Sequence, residues 1–268
     1  MAYGNRKRIY RRRKRPYRKR ASKAKTKQTV AIVKRVLHSN IENKQAFRQA
    51  SLVDIATSMP ASIVAGMYPV IPRVFSSLDG DNSKVGQTIK PLSLKLGMTA
   101  FLQTQTSSNN ANIYFDLYVF KINKIKDQTL YDSVGPGEVA RFFRPSISGS
   151  DTLYEARNYN WFQNVNRDVI TLLHKKRFKM APTKLAGTSN LDGNWNDNYT
   201  QTSINYTVPL SKHLLKTLKY TNATDDNCNN CAIFATMVAT PAQATDLPSA
   251  PAVYGSVGFN STMVYEDA

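Results

Sequence analysis

The first 41 residues contain no aspartate or glutamate; the first acid is Glu42. A segment without one negative charge cannot neutralise its own cations, which rules out a self-paired, salt-bridged domain there. Cysteine is almost absent as well, with only Cys228 and Cys231 among 268 residues. A single Cys-x-x-Cys cannot build a four-thiolate zinc cluster or a disulfide framework. His38, His174 and His213 stand singly, without the His-x3-His partner of a mixed site. Flanked by Asp225, Asp226, Asn229 and Asn230, the pair reads as part of a turn entering a strand at Ala232, rather than as a metal or redox centre. No run approaches the ~18 apolar residues that span a bilayer, and the N-terminus lacks the apolar core of a secretory signal. A soluble chain made in the cytosol is expected. The Asn-x-Ser/Thr triplets at Asn198, Asn205, Asn222 and Asn260 are then chance products of Asn/Thr-rich sequence.

Catalytic motifs are missing too. Gly135, Gly137 and Ala140 match a dinucleotide-loop spacing, but Phe142, Phe143 and Pro145 stand where the helix N-terminus would have to be. Asp79-Gly80-Asp81-Asn82 resembles the start of a calcium loop, yet Lys90 occupies the twelfth position, which requires a bidentate glutamate, and a tight turn is the better reading. There is no Gly-x-Ser-x-Gly, His-Glu-x-x-His or P-loop. The chain is expected not to be an enzyme and to need no metal or cofactor.

What is present in excess is positive charge at one end. Residues 1–41 hold 16 basic side chains, leaving 21 basic against 18 acidic in residues 42–268. The expected organisation is an Arg/Lys-rich, disordered nucleic-acid-binding arm over residues 1–41, followed by a near-neutral domain over residues 42–268. The candidate phosphate contacts are Arg6, Lys7, Arg8, Arg11, Arg12, Arg13, Lys14, Arg15, Arg18, Lys19, Arg20, Lys23, Lys25 and Lys27. Each can displace a condensed counterion, so binding should weaken steeply with salt. Arginine dominates up to Arg20 and offers a fork geometry that lysine lacks. Tyr3, Tyr10 and Tyr17 punctuate the run at seven-residue spacing and have no core to enter, which suits stacking on unpaired bases. The clusters Arg11 to Arg15 and Arg18 to Arg20 also read as nuclear-import signals. Val30, Val33, Leu37 and Ile41 fit either a short amphipathic helix at the hinge to the domain or an extended lead-in, since Ile32 and Val36 break the apolar face.

The remaining chain, roughly 225 residues, is long enough for a large core. Leu92, Leu94, Leu96, Met98, Ala100 and Leu102 alternate with Ser93, Lys95, Gly97, Thr99, Phe101 and Gln103, the pattern of a half-buried strand. Ile113 to Ile122 is nearly continuous in apolar residues, as in a strand covered on both faces. The polar stretch Thr106 to Asn112 between them suggests a hairpin. Lys44–Val53, Val169–Met180, Ile204–Leu210, Ala232–Ala239 and Val257–Tyr265 supply further strands, with an eighth expected between Val139 and Tyr159. Only Leu210–Leu218 and the region near Val30 look helical. The class is all-β, a sandwich or barrel of about eight strands with long polar connections. A second basic cluster, Lys175, Lys176, Arg177 and Lys179 beside His174, is either a solvated strand end or a second phosphate patch.

An Arg-rich tail interleaved with tyrosine, an eight-strand body and the segment Leu78-Asp79-Gly80-Asp81-Asn82-Ser83-Lys84-Val85-Gly86-Gln87-Thr88-Ile89 together resemble capsid proteins of circular single-stranded DNA viruses, the circovirus-like group that encodes its own replication initiator. The resemblance implies a single eight-stranded jelly roll and an icosahedral virion of about 60 copies. It also implies an arm that packages the genome and assembly in the host nucleus. With ~14 phosphates neutralised per arm, such a shell would balance roughly 840 nucleotides. The expected partners are single-stranded nucleic acid, further copies of the chain and the nuclear import machinery, without membrane insertion. Basic arms also occur on capsids of small RNA and satellite viruses. A non-viral, basic-tailed nucleic-acid-binding protein is the alternative from another class.

Overall fold

A computed structural model of the chain describes residues 25–33, 43–50, 52–56, 67–76, 81–102, 113–124, 126, 142, 165–180, 203–241 and 253–267. The chain divides into two units, Met1–Glu42 and Asn43–Ala268. In the first, the described residues form helix α1, residues 25–33, with every side chain exposed. The helix starts before the span expected from Val30 to Ile41. Its apolar residues Val30, Ile32 and Val33 do not line a single stripe, and all three face solvent. Leu37 and Ile41 lie outside the described residues.

The second unit is built from antiparallel sheets with few helical residues. Its strands are β1 (Asn43–Gln49), β2 (Val53–Ile55), β3 (Tyr68–Pro69), β4 (Phe75–Ser76), β5 (Ser83–Lys84), β6 (Thr88–Leu102), β7 (Ile113–Ile122), β8 (Ile170–Met180), β9 (Ser203–Pro209), β10 (Leu218–Lys219), β11 (Phe234–Pro241) and β12 (Gly255–Asp267). One sheet has six strands in the order β1-β12-β6-β10, with β2 also paired to β12 and β9 also paired to β6. β1 and β2 run end to end along β12, and β9 and β10 run end to end along β6, so the sheet is four lanes wide. The other sheet has the order β3-β11-β7-β8, and β4 and β5 form a small parallel pair.

Strand composition explains these pairings only in part. β6 and β12 carry the long period-2 patterns and pair over 13 positions as the central lanes of the first sheet. β7 is buried on both sides, as its nearly continuous apolar run requires. The hairpin expected between β6 and β7 does not form. Each finds its partners in a different sheet, and their inner faces meet across the core instead. Leu92 also departs from expectation. A bulge between Val264 and Tyr265 leaves it without a cross-strand partner, so it is exposed, while Leu94, Leu96, Met98 and Ala100 are buried. The same irregularity accommodates Pro91 within a central strand, where it would otherwise break the ladder. Leu210–Leu218 is not a helix; it holds a single 3-10 turn, Ser211–His213, and then enters β10. The eighth strand expected between Val139 and Tyr159 lies outside the described residues except at Phe142.

One apolar cluster joins the sheets. Leu94, Leu96 and Met98 of β6, Phe259 and Met263 of β12, Phe115 and Leu117 of β7, and Ala235 and Met237 of β11 all belong to it. Each large side chain withdrawn from water contributes about 1.5–3 kcal/mol. A second cluster covers the opposite face of β7 and β11, where Phe142 meets Tyr118 and Phe120 edge-on at 5.3 and 5.4 Å. Where β12 begins, Gly255 is required by close approach: a methyl there would fall on the Phe101 carbonyl oxygen and within 2.8 Å of Phe115 Cζ. Gly255→Ala should therefore cost about 1–3 kcal/mol. Gly97→Ala meets only the movable amide of Asn260 and should change stability by less than about 0.5 kcal/mol. Urea midpoints of the two variants check the contrast.

Candidate nucleic-acid interface

Of the arm residues singled out by charge, Arg6 to Lys23 and Tyr3, Tyr10 and Tyr17 lie outside the described residues. Lys25 and Lys27 sit on α1 and are exposed. Fifteen residues separate Lys27 from Asn43, where β1 begins.

The second basic cluster occupies the middle of β8, the last lane of its sheet among the described residues. Strand alternation divides it. Lys175, Arg177 and Lys179 share one face and stand opposite Tyr118, Asp116 and Tyr114 of β7, whereas Lys176 points the other way with His174. Asp116 is fully buried. Arg177 grips it with a two-pronged contact, Nε to Oδ1 at 2.6 Å and one terminal nitrogen to Oδ2 at 2.7 Å, and the Thr240 hydroxyl donates to Oδ2 at 3.0 Å. The Arg177 guanidinium also lies 4.8 Å from the Tyr114 ring centroid. Arg177 is thus committed to holding β7 and β8 together. Lys175 lies over the Tyr118 ring at 5.6 Å. Burial lowers its pKa, an effect opposed by Asp116 and reinforced by Arg177. Lys176 and Lys179 are exposed. The structure therefore splits the proposed patch, and lysines along a long outer strand also discourage edge-to-edge pairing.

On the other face of β8, the His174 ring stacks on Tyr206 of β9 at 5.8 Å, with Nε2 3.3 Å from the tyrosine hydroxyl. Phe178 meets the same tyrosine edge-on at 5.2 Å. This contact bridges the margins of the two sheets. His174 has its pKa lowered by burial first, then by Lys176 and Lys212. His213 is lowered by burial, then by Lys212, Lys121 and His174. In the unfolded chain an imidazole titrates near 6.5, above both folded values. Between the two values the unfolded chain binds more protons, so this stabilisation is complete above 6.5 and is lost as pH falls through the folded values. Thermal melting should show a loss of stability as pH falls below about 6.5, and His174→Gln with His213→Gln should flatten it.

The segment Leu78 to Ile89 is described from Asp81 onward. Asn82 adopts the left-handed conformation with φ 58°, as a tight turn demands. Its side-chain amide accepts from Phe47 N–H at 2.7 Å and donates to the Phe47 carbonyl at 2.8 Å, while its own N–H donates to the Gln45 carbonyl at 3.0 Å. Lys84 is fully buried: its ammonium donates to the Ala223 carbonyl and lies 4.5 Å from the Tyr220 ring centroid. Burial lowers its pKa, and Asp225, Asp267 and Asp226 oppose that shift. Both residues act as structural clamps. Cys228 and Cys231 are buried and not joined by a disulfide, and the Cys228 thiol donates to the Cys231 carbonyl at 3.0 Å in the turn before β11.

The sequence did not single out Phe47 and Phe101, two aromatic rings on the solvent face of the six-stranded sheet, exposed by 46% and 42%. An aromatic at the outward position of an alternating strand was the available signal. No known protein family matches the chain, and no curated protein matches its sequence. Among the described helical residues, no helix is long and apolar enough to cross a membrane.

Proposed function

We propose that the chain is a viral capsid protein whose β domain assembles into a closed icosahedral shell and whose arm packages single-stranded nucleic acid. The observation that carries this is the joining of 16 unopposed cations to a domain with a particular lane order. With β1–β2 and β9–β10 each counted as one lane and the small β4–β5 pair set aside, the described lanes of the two main sheets number eight. In chain order they run 1-8-3-6 in one sheet and 2-7-4-5 in the other. That order supports a jelly roll, the double Greek-key arrangement that small capsids use to avoid open edges. Symmetric assembly makes many weak arm contacts additive on one polymer. The circovirus-like resemblance points to DNA as the packaged strand and to nuclear import through the arm.

Deletion of residues 1–27 tests this. The truncated chain should still form particles by negative-stain microscopy, and these should contain no nuclease-protected nucleic acid. Truncated particles filled with a full-length genome would overturn the assignment, as would a full-length chain that stays monomeric under packaging conditions.

A further inference from the structure

Resting on that proposed function, we infer that the solvent face of the six-stranded sheet is a platform on which Phe47 and Phe101 stack bases of the strand held by the arm. The two rings face outward from β1 and β6. Phe47 stands on the rung shared with Thr262, Lys95 and Pro209, and Phe101 on the rung shared with Ser203, Ser256 and, beyond Ser256, the exposed Asp54 of β2. They are therefore two lanes and three outward rungs apart, or about 20 Å, from ordinary strand spacings. An extended single strand crosses that gap in about four nucleotides, the lower end of the site sizes of β-barrel single-strand binders.

The strip between the rings suits bases. Its two intervening rungs carry Gln49, Asn260, Gly97 and Thr207, then Gly258, Thr99 and Asn205. Asn260 lies in the space a Cβ on Gly97 would take, and the exposed Leu52 leans within 3.4 Å of the Cβ position of Gly258, so these two side chains form the floor between the two aromatics. Amides and hydroxyls offer donors and acceptors to base edges, while the sugar–phosphate charge falls to the arm, which is covalently continuous with β1 at Asn43. Lys95 stands on the same rung and face as Phe47, two lanes away across Thr262. Four-stranded sheets with outward aromatics serve single-stranded RNA in the same manner.

The experiment uses the full-length chain and a fluorescein-labelled 30-nucleotide oligothymidylate, titrated by anisotropy at several salt concentrations. The double variant Phe47→Ala/Phe101→Ala should bind at least about 30-fold more weakly, taking the lower bound for two stacked bases. The slope of log K against log salt should not change, because stacking displaces no counterions. Phe47→Leu/Phe101→Leu should lose most of the same affinity, since it keeps apolar area without an aromatic face. Photocrosslinking of a 5-iodouracil oligonucleotide should label peptides containing Phe47 and Phe101. Unchanged affinity in the alanine variant overturns the platform. Failed particle assembly with wild-type affinity also overturns it, and would assign this face to a second copy of the chain. A salt slope that arm deletion leaves intact would instead sink the packaging function, so the two failures are distinguishable.

Discussion

Removal of residues 1–27 is expected to collapse the salt dependence of binding to single-stranded nucleic acid. Fourteen cations lie in that segment. At about 0.7 counterions released per phosphate on a single strand, full engagement gives a slope of log K against log salt near −10. A rise from about 50 to about 200 mM salt then weakens binding about a million-fold. After the deletion only Lys34 and Arg35 remain of the cations in residues 1–41, and the slope should fall to between about −1 and −2. Anisotropy titrations across that salt range measure both slopes. The effect is this large because no acid in the arm competes with phosphate, and each engaged cation adds to the same exponent. A truncated chain that retained the steep slope would place the polyanion on the β domain, whose net charge is too small to supply it.

Arg177→Ala should be the most destabilising charge removal in the β domain, at about 3–5 kcal/mol. Asp116 has no solvent to fall back on, and without the guanidinium only the Thr240 hydroxyl among the contacts described above still reaches it. For a domain of this size the loss corresponds to a fall in melting temperature of roughly 6–20 °C. Replacing both partners with apolar residues, as in Asp116→Val with Arg177→Leu, should recover much of it, because a buried pair returns little beyond the desolvation it costs. Lys179→Ala, one rung away and exposed, should move stability by less than about 0.5 kcal/mol. Urea denaturation of the three variants decides the matter. If Arg177→Ala melts like the parent and loses only oligonucleotide affinity, the side chain belongs to a phosphate patch after all.

The long strands were legible because their side chains are periodic over many residues. β6 and β12 alternate, and β7 is apolar at every position but Asp116 and Lys121. Partner choice was not legible. Short-range pairing is the natural inference for β6 and β7, but β7 must be covered on both faces, which a place beside β6 in a half-solvated sheet could not provide. The pieces β2, β3, β4, β5 and β10 hold two or three residues each, too few to show a period. The bulge at Leu92 reversed the parity of a strand otherwise read correctly. At the candidate site, the arm announced itself by composition alone. Arg177 did not, because its carboxylate lies 61 positions away on another strand. Phe47 and Phe101 can be placed on one face only once β12 is known to run between their strands.

Asn82 has a consequence for how copies of this chain can meet. By answering the Phe47 amide and carbonyl and the Gln45 carbonyl, its turn occupies the outer border of the six-stranded sheet with groups from the same molecule. A border so occupied cannot template the annealing of another polypeptide, and the open-ended ribbon growth that leads to fibres is blocked on that side. Any association through that border is left to side-chain surfaces of fixed shape.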